Sequence, residues 1–127
     1  MTELADIGLI GLAVMGENLA LNIESRGYRV AVSNRTTEKI DRLLEGRAAG
    51  KNMIGCHTVE ELVENLASPR KIIILVKAGP AVDALIDQLV PLLDAGDIII
   101  DSGNTHFADT ERRTRYVEEQ GLLFIGT

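Results

Sequence analysis

Gly11-Leu12-Ala13-Val14-Met15-Gly16 stands between the apolar run "IGLI" and a helix-like segment, and Asn34-Arg35-Thr36 follows about twenty residues later. A glycine-bearing turn that leaves a strand and enters a helix brings backbone N–H groups and the helix dipole to a phosphate. Gly11 permits the tight turn, and Gly16 lets the helix sit close to the strand. The place where a middle glycine normally lets a pyrophosphate approach is taken by Ala13. Its methyl should push the phosphates slightly outward while leaving the N–H groups available. The alternative is a strand-to-helix turn with no ligand.

In a dinucleotide site, an acidic residue after the second strand takes the adenosine ribose and would repel a 2′-phosphate. Here the position holds Asn34, which can still bond to the ribose, followed by Arg35 with a planar fork for phosphate and Thr36 with a hydroxyl. Together they suggest NADP. Taken singly, they are a turn residue, a solvated charge and a helix cap. Further on, Val76-Lys77-Ala78-Gly79 places small residues where a nicotinamide and its ribose would lie, with Lys77 either a phosphate contact or a solvated lysine. Asn104, in "DSGNTHFAD", either touches cofactor and substrate through its amide or forms an Asx turn. His57 and His106 have no metal-ligand spacing partners. The charges of "ADTERRTRYVEEQ" read as a solvated helix face, and no residue makes a convincing general base, so no catalytic residue is assigned.

The elements that must hold these residues are legible as alternation. Apolar runs at 7–10, 28–33, 53–56, 71–76, 97–101 and 122–126 read as six strands, separated by segments with helix signals. Thr58 and Glu61 form a capping box, Pro80 suits a first helical turn, and Gly27, Gly96 and Gly121 suit helix ends. In the first helix Met15, Leu19 and Ile23 recur at a spacing of four and should pack on the sheet. Unbroken strand–helix alternation implies right-handed crossovers and a doubly wound parallel sheet of the Rossmann type, with strand order 3-2-1-4-5-6. The expectation is one α/β domain over residues 1–127 that stops as its last strand reaches a ligand crevice, truncated at its C-terminal end.

Composition agrees. A chain of 127 residues can bury roughly two thirds of its unfolded surface. With 46% hydrophobic residues but only two Phe, two Tyr and no Trp, its core must be aliphatic. A net charge of -6 offers no basic stripe for nucleic acid. No apolar run is long enough to span a bilayer, and the N-terminus lacks the features of a signal peptide, so the expectation is no membrane partner and a cytoplasmic location. Cys56, the single cysteine, reads as a small buried apolar residue.

The turn with its middle alanine, "NRT", "VKAG", "DSGNT", "ENLALNIESRGY" and "FIGT" together resemble the N-terminal coenzyme domain of the 6-phosphogluconate dehydrogenases, along the whole chain. In that family alanine belongs to the turn. Where it usually shows D-G-G-N, this chain has Asp101-Ser102-Gly103-Asn104. The resemblance implies oxidative decarboxylation of 6-phosphogluconate to ribulose 5-phosphate and carbon dioxide in the pentose phosphate pathway, with NADP as hydride acceptor, no metal and a homodimeric enzyme. It carries cofactor binding onto Gly11, Leu12, Ala13, Val14, Met15, Gly16, Asn34, Arg35, Thr36, Val76, Lys77, Ala78 and Asn104, and substrate binding onto Asn104. The family's substrate loop, lysine base, glutamate acid and helical dimerisation domain would lie beyond residue 127. The alternatives are the coenzyme domain of a β-hydroxyacid dehydrogenase and a non-catalytic NADP-sensing module.

Overall fold

The computed structural model describes residues 4–76, 80–101 and 107–126. Strands β1 (Ile7–Ile10), β2 (Val30–Ser33), β3 (Met53–Gly55), β4 (Lys71–Ile74), β5 (Ile98–Asp101) and β6 (Leu123–Gly126) alternate with helices α1 (Val14–Ser25), α2 (Thr37–Glu45), α3 (Val59–Glu64), α4 (Pro80–Leu89) and α5 (Phe107–Glu119). The strands form one sheet in the order β3-β2-β1-β4-β5-β6, every pair parallel. This is the expected Rossmann-type order. The chain reverses direction across the sheet between β1 and β4, so the crevice at their C-terminal ends is the switch point where such sheets take ligands.

Each face of the sheet has its own aliphatic core. Leu9, Val30, Val32 and Ile73 pack with Ala20, Ile40 and Leu43 of α1 and α2. Ile72, Ile74, Ile99 and Phe124 pack with Leu62, Val82, Ile86, Leu89 and Val117 of α3, α4 and α5. Cys56 lies in this second layer, as its small apolar character predicts. At the floor of the sheet, buried Asp97 accepts hydrogen bonds from the backbone N–H of Arg70 at 2.7 Å and of Asp94 at 2.8 Å. It also meets the Arg70 guanidinium at 3.2 Å, tying the start of β4 to the start of β5.

Several local expectations hold with adjustments. Thr58 Oγ1 accepts the Glu61 N–H at 3.0 Å, but the Glu61 carboxylate reaches one residue further back, to the His57 N–H at 3.1 Å. Gly27, Gly96 and Gly121 close the segments before them with φ of +98°, +94° and +82°. β4 ends at Ile74, because its pairing with β1 ends where Ile10 does, so Val76 belongs to the following turn.

Two expectations are corrected. Met15 does not pack on the sheet: it is 70% exposed, while Leu19 and Ile23 are half-buried and the fully buried residues of α1 are Gly16 and Ala20. Close approach of α1 at Gly16 turns that face inward, and Met15, about 100° round the helix, turns outward. Nor is α5 solvated all round. Arg113 is among the largest fully buried side chains, with Nε 2.8 Å from Asp83 of α4. Arg113 and Val117, one turn apart, share the inward face.

Candidate dinucleotide-binding cleft

β1 delivers the chain to Gly11, where φ is +113° and the N–H bonds to Ser33 O at 2.9 Å. A Cβ at Gly11 would collide with the Leu75 carbonyl, and a Cβ at Gly16 with the carbonyl of Gly11. Both obstacles are backbone, so neither can swing aside. Only glycine lets the turn pass this close to the segment after β4 and lets α1 start this close to the turn.

Ala13 occupies the N-cap of α1 at φ -71° and ψ -179°, a conformation open to any L-residue. No side chain caps this helix. Its first backbone bond runs from Glu17 N to Ala13 O at 2.9 Å, so the N–H groups of Val14, Met15 and Gly16 have no acceptor behind them. An exposed, uncapped N-terminus opening on a crevice suits a phosphate, which would accept those bonds and meet the positive end of the helix. Glu17 in the first turn would oppose an anion, but Arg47 pairs with it at 2.7 Å and also holds Asn18 at 2.9 Å.

Asn34 links this cradle to the end of β2. Its Oδ1 accepts the Leu12 N–H at 2.7 Å, and its Nδ2 donates to Thr36 O at 3.0 Å. The Leu12 N–H is therefore engaged within the chain, and its side chain is buried. One amide hydrogen of Asn34 is left for a ligand. Arg35 and Thr36 follow, both exposed, and neither side chain bonds to another described residue. Thr36 stands at the N-cap of α2 without using its hydroxyl as a cap.

Asn34 and Arg35 line a cleft of about 710 Å³ that also takes in Gly11, Ala13, Lys39 and His57. Its far wall is apolar, built from Val59, Leu75, Val76 and α4 residues Ala81, Ala84 and Leu85, with Gln88 at the end. The cleft is thus polar and cationic where β2 gives way to α2 and apolar opposite, a combination that suits a ligand with a charged end and an apolar body. Leu12, Val14, Met15, Gly16 and Thr36 border it without lining it; Val14 and Met15 present exposed apolar side chains at the start of α1. Lys77, Ala78 and Asn104 lie outside the described residues. Sequence reasoning missed Lys39, whose signal was its place four residues after Arg35 at a helix start, and the α4 wall, which carries no local signal.

Burial, reinforced by the negative charge of Glu61, pushes the Cys56 thiol up to about 12, so it is no nucleophile near neutrality. The hydrogen bond from Arg113 holds the Asp83 carboxyl down at about 2, an ionised partner and not a proton acceptor. His57 pairs with Asp41 at 2.9 Å. Among the described residues no group of three or more His, Cys, Asp or Glu could hold a metal ion, and no helix is long and apolar enough to cross a membrane.

The family described as the NAD binding domain of 6-phosphogluconate dehydrogenase matches residues 6–127. The chain belongs to this family. It is 62% identical over 123 residues to the decarboxylating 6-phosphogluconate dehydrogenase of Treponema pallidum, covering 97% of this chain and 25% of that protein. With that of Dictyostelium discoideum it shares 57% identity over 128 residues, 100% of this chain and 26% of the relative. Among solved structures it resembles Plasmodium falciparum 6-phosphogluconate dehydrogenase, with a TM-score of 0.87 and 47% identity over 94% of this chain and 26% of that one. That enzyme was solved in its apo form, with its cofactor NADP+ and with its substrate 6-phosphogluconate. The chain spans about a quarter of the length of these relatives. Mycobacterium tuberculosis 3-hydroxyisobutyrate dehydrogenase shares the fold at a TM-score of 0.81 with 16% identity over 97% of this chain and 40% of its own, a likeness of architecture alone. The family assigned from the turn, "NRT", "VKAG" and "DSGNT" is therefore the right one.

Proposed function

We propose that this chain is the NADP-binding domain of a decarboxylating 6-phosphogluconate dehydrogenase, a homodimeric cytoplasmic enzyme whose substrate and dimerisation residues lie in a separate helical domain. The observation that carries the reading is the Asn34 amide, which ties the phosphate cradle at Leu12 to the cationic cleft of Arg35 and Lys39. Gly11 and Gly16 shape the cradle, Ala13, Val14 and Met15 offer backbone to the pyrophosphate, and Arg35, Thr36 and Lys39 take the 2′-phosphate. Val76, Lys77 and Ala78 meet the nicotinamide end, and Asn104 faces cofactor and substrate. Bound there, NADP would accept a hydride from 6-phosphogluconate as carbon dioxide is lost.

Calorimetric titration of the chain with NADPH and NADH tests this. NADPH should bind at least about tenfold more tightly, the factor one charge-assisted contact contributes. Equal affinities would refute the assignment. The chain alone should not turn over 6-phosphogluconate, since it offers no convincing base. NADPH formation in proportion to its concentration would show otherwise.

A further inference from the structure

We infer that His57 is a third cationic contact for the 2′-phosphate of the cofactor, held by Asp41 and sharpening the preference for NADP over NAD. The inference rests on the NADP reading above and adds a residue to it. Gly55 of β3 pairs with Val32 of β2, and Cys56 N continues the ladder to Val32 O at 2.8 Å. The next residue, His57, therefore comes level with Asn34 across neighbouring strands, which lie about 4.8 Å apart. It lines the same cleft as Asn34, Arg35 and Lys39.

Two bonds fix it there. Its backbone N–H donates to Glu61 Oε2 at 3.1 Å, and its ring Nε2 meets Asp41 Oδ1 at 2.9 Å. With Nε2 engaged, Nδ1 is the ring nitrogen left for a ligand. An imidazole whose Nε2–H is held by a carboxylate is an acceptor at Nδ1 when neutral and a donor there once protonated. Only the protonated form suits a phosphate oxygen.

The charges around the ring come from three elements. The end of β2 and α2 contribute Arg35, Lys39 and Asp41, α3 contributes Glu60 and Glu61, and the α4 wall contributes only the neutral Ala81, Ala84, Leu85 and Gln88. Asp41 offsets a protonated ring in part. Their side chains are 50% and 56% exposed, so this pair is hydrated and screened. A phosphate dianion arriving beside Arg35 supplies negative charge that neither Asp41 nor Glu61 matches.

The test compares wild type with His57→Gln, which keeps a hydrogen-bonding amide beside Asp41 but cannot become a cation. Calorimetric titrations with NADPH and NADH are run at about pH 6 and about pH 8.5, at fixed salt. Taking the ratio of the two proteins cancels the titration of the phosphate itself. For NADPH the ratio of wild-type to variant affinity should rise from near unity at the higher pH to about 3- to 5-fold at the lower, and for NADH it should stay flat. A pH-independent NADPH ratio overturns the role of His57 and leaves the NADP reading standing, as does an equal change for NADH, which would place the ring against the adenine. No NADPH binding by wild type at either pH overturns both.

Discussion

Asn34→Asp separates folding from cofactor choice. The aspartate keeps an acceptor for the Leu12 N–H, now charged, and gives up the donor that Nδ2 offers to Thr36 O. Losing one partly exposed neutral hydrogen bond costs about 1 kcal/mol. A carboxylate beside the N-termini of α1 and α2 returns about 0.3–1 kcal/mol through the helix dipoles. The net change in folding stability should stay within about 1 kcal/mol, a small shift of the urea midpoint at unchanged slope.

Binding should respond otherwise. A new negative charge beside a bound 2′-phosphate adds repulsion of about 1–3 kcal/mol at the dielectric of a protein surface, so NADPH should weaken roughly 5- to 150-fold. NADH presents a 2′-hydroxyl that can donate to the carboxylate, and its affinity should hold or improve. Calorimetry with both cofactors and a urea titration of both proteins decide the matter. If NADPH and NADH weaken by the same factor, Asn34 acts only through the shape of the turn and the 2′-phosphate assignment fails. If stability falls by more than about 2 kcal/mol, the bond to Thr36 outweighs the carboxylate's gains and the energetics above are wrong.

Arg35→Ala removes a side chain that bonds to no other described residue, so the melting temperature should not move, while NADPH affinity measured by calorimetry falls about 10- to 100-fold and NADH affinity little. Gly16→Ala drives a methyl into the Gly11 carbonyl and should destabilise the fold by about 1–3 kcal/mol in urea unfolding, with loss of NADPH binding; an unchanged midpoint would disprove the close contact. The Asp83 carboxyl, held at about 2 by Arg113, has a folded value below its unfolded one, so its contribution is full above about pH 4 and lost as the pH falls through about 2. Asp83→Asn should therefore lower urea stability by about 1–3 kcal/mol near neutrality, an allowance made for a side chain 36% exposed, and the difference from wild type should vanish towards pH 2.

The strands were legible because each is a short aliphatic run closed by turn residues, and their order is the one that the doubly wound class implied by six runs alternating with helices takes. The strand-to-helix turn was legible because Gly11 and Gly16 are required by backbone collisions that no other residue type avoids. What escaped was contact between distant segments. "ADTERRTRYVEEQ" looks uniformly polar, and nothing in it says that Arg113 meets Asp83, thirty residues earlier. Met15 fits an apolar period of four as well as Leu19 does, and only the close approach of α1 at Gly16 decides which turns outward. Arg47 neutralising Glu17 and the α4 wall of the cleft belong to the same class.

Ala13 gains its meaning from Asn34. A middle glycine would let the pyrophosphate press closest to the backbone but would leave the turn freer in the unfolded chain, whereas alanine at a compatible φ stabilises by about 0.4–1 kcal/mol through that chain's entropy. Ala13 sits at φ -71°, where the gain carries no strain. The Leu12 N–H beside it is taken by Asn34 Oδ1 at 2.7 Å. The turn is thereby shaped by its own chain before any phosphate arrives, and the residue that shapes it also lines the cleft in which we propose the 2′-phosphate is held. An acidic residue in its place could hold Leu12 equally well but would repel a phosphate bound there, so under the proposed assignment an amide satisfies both the turn and the cofactor preference.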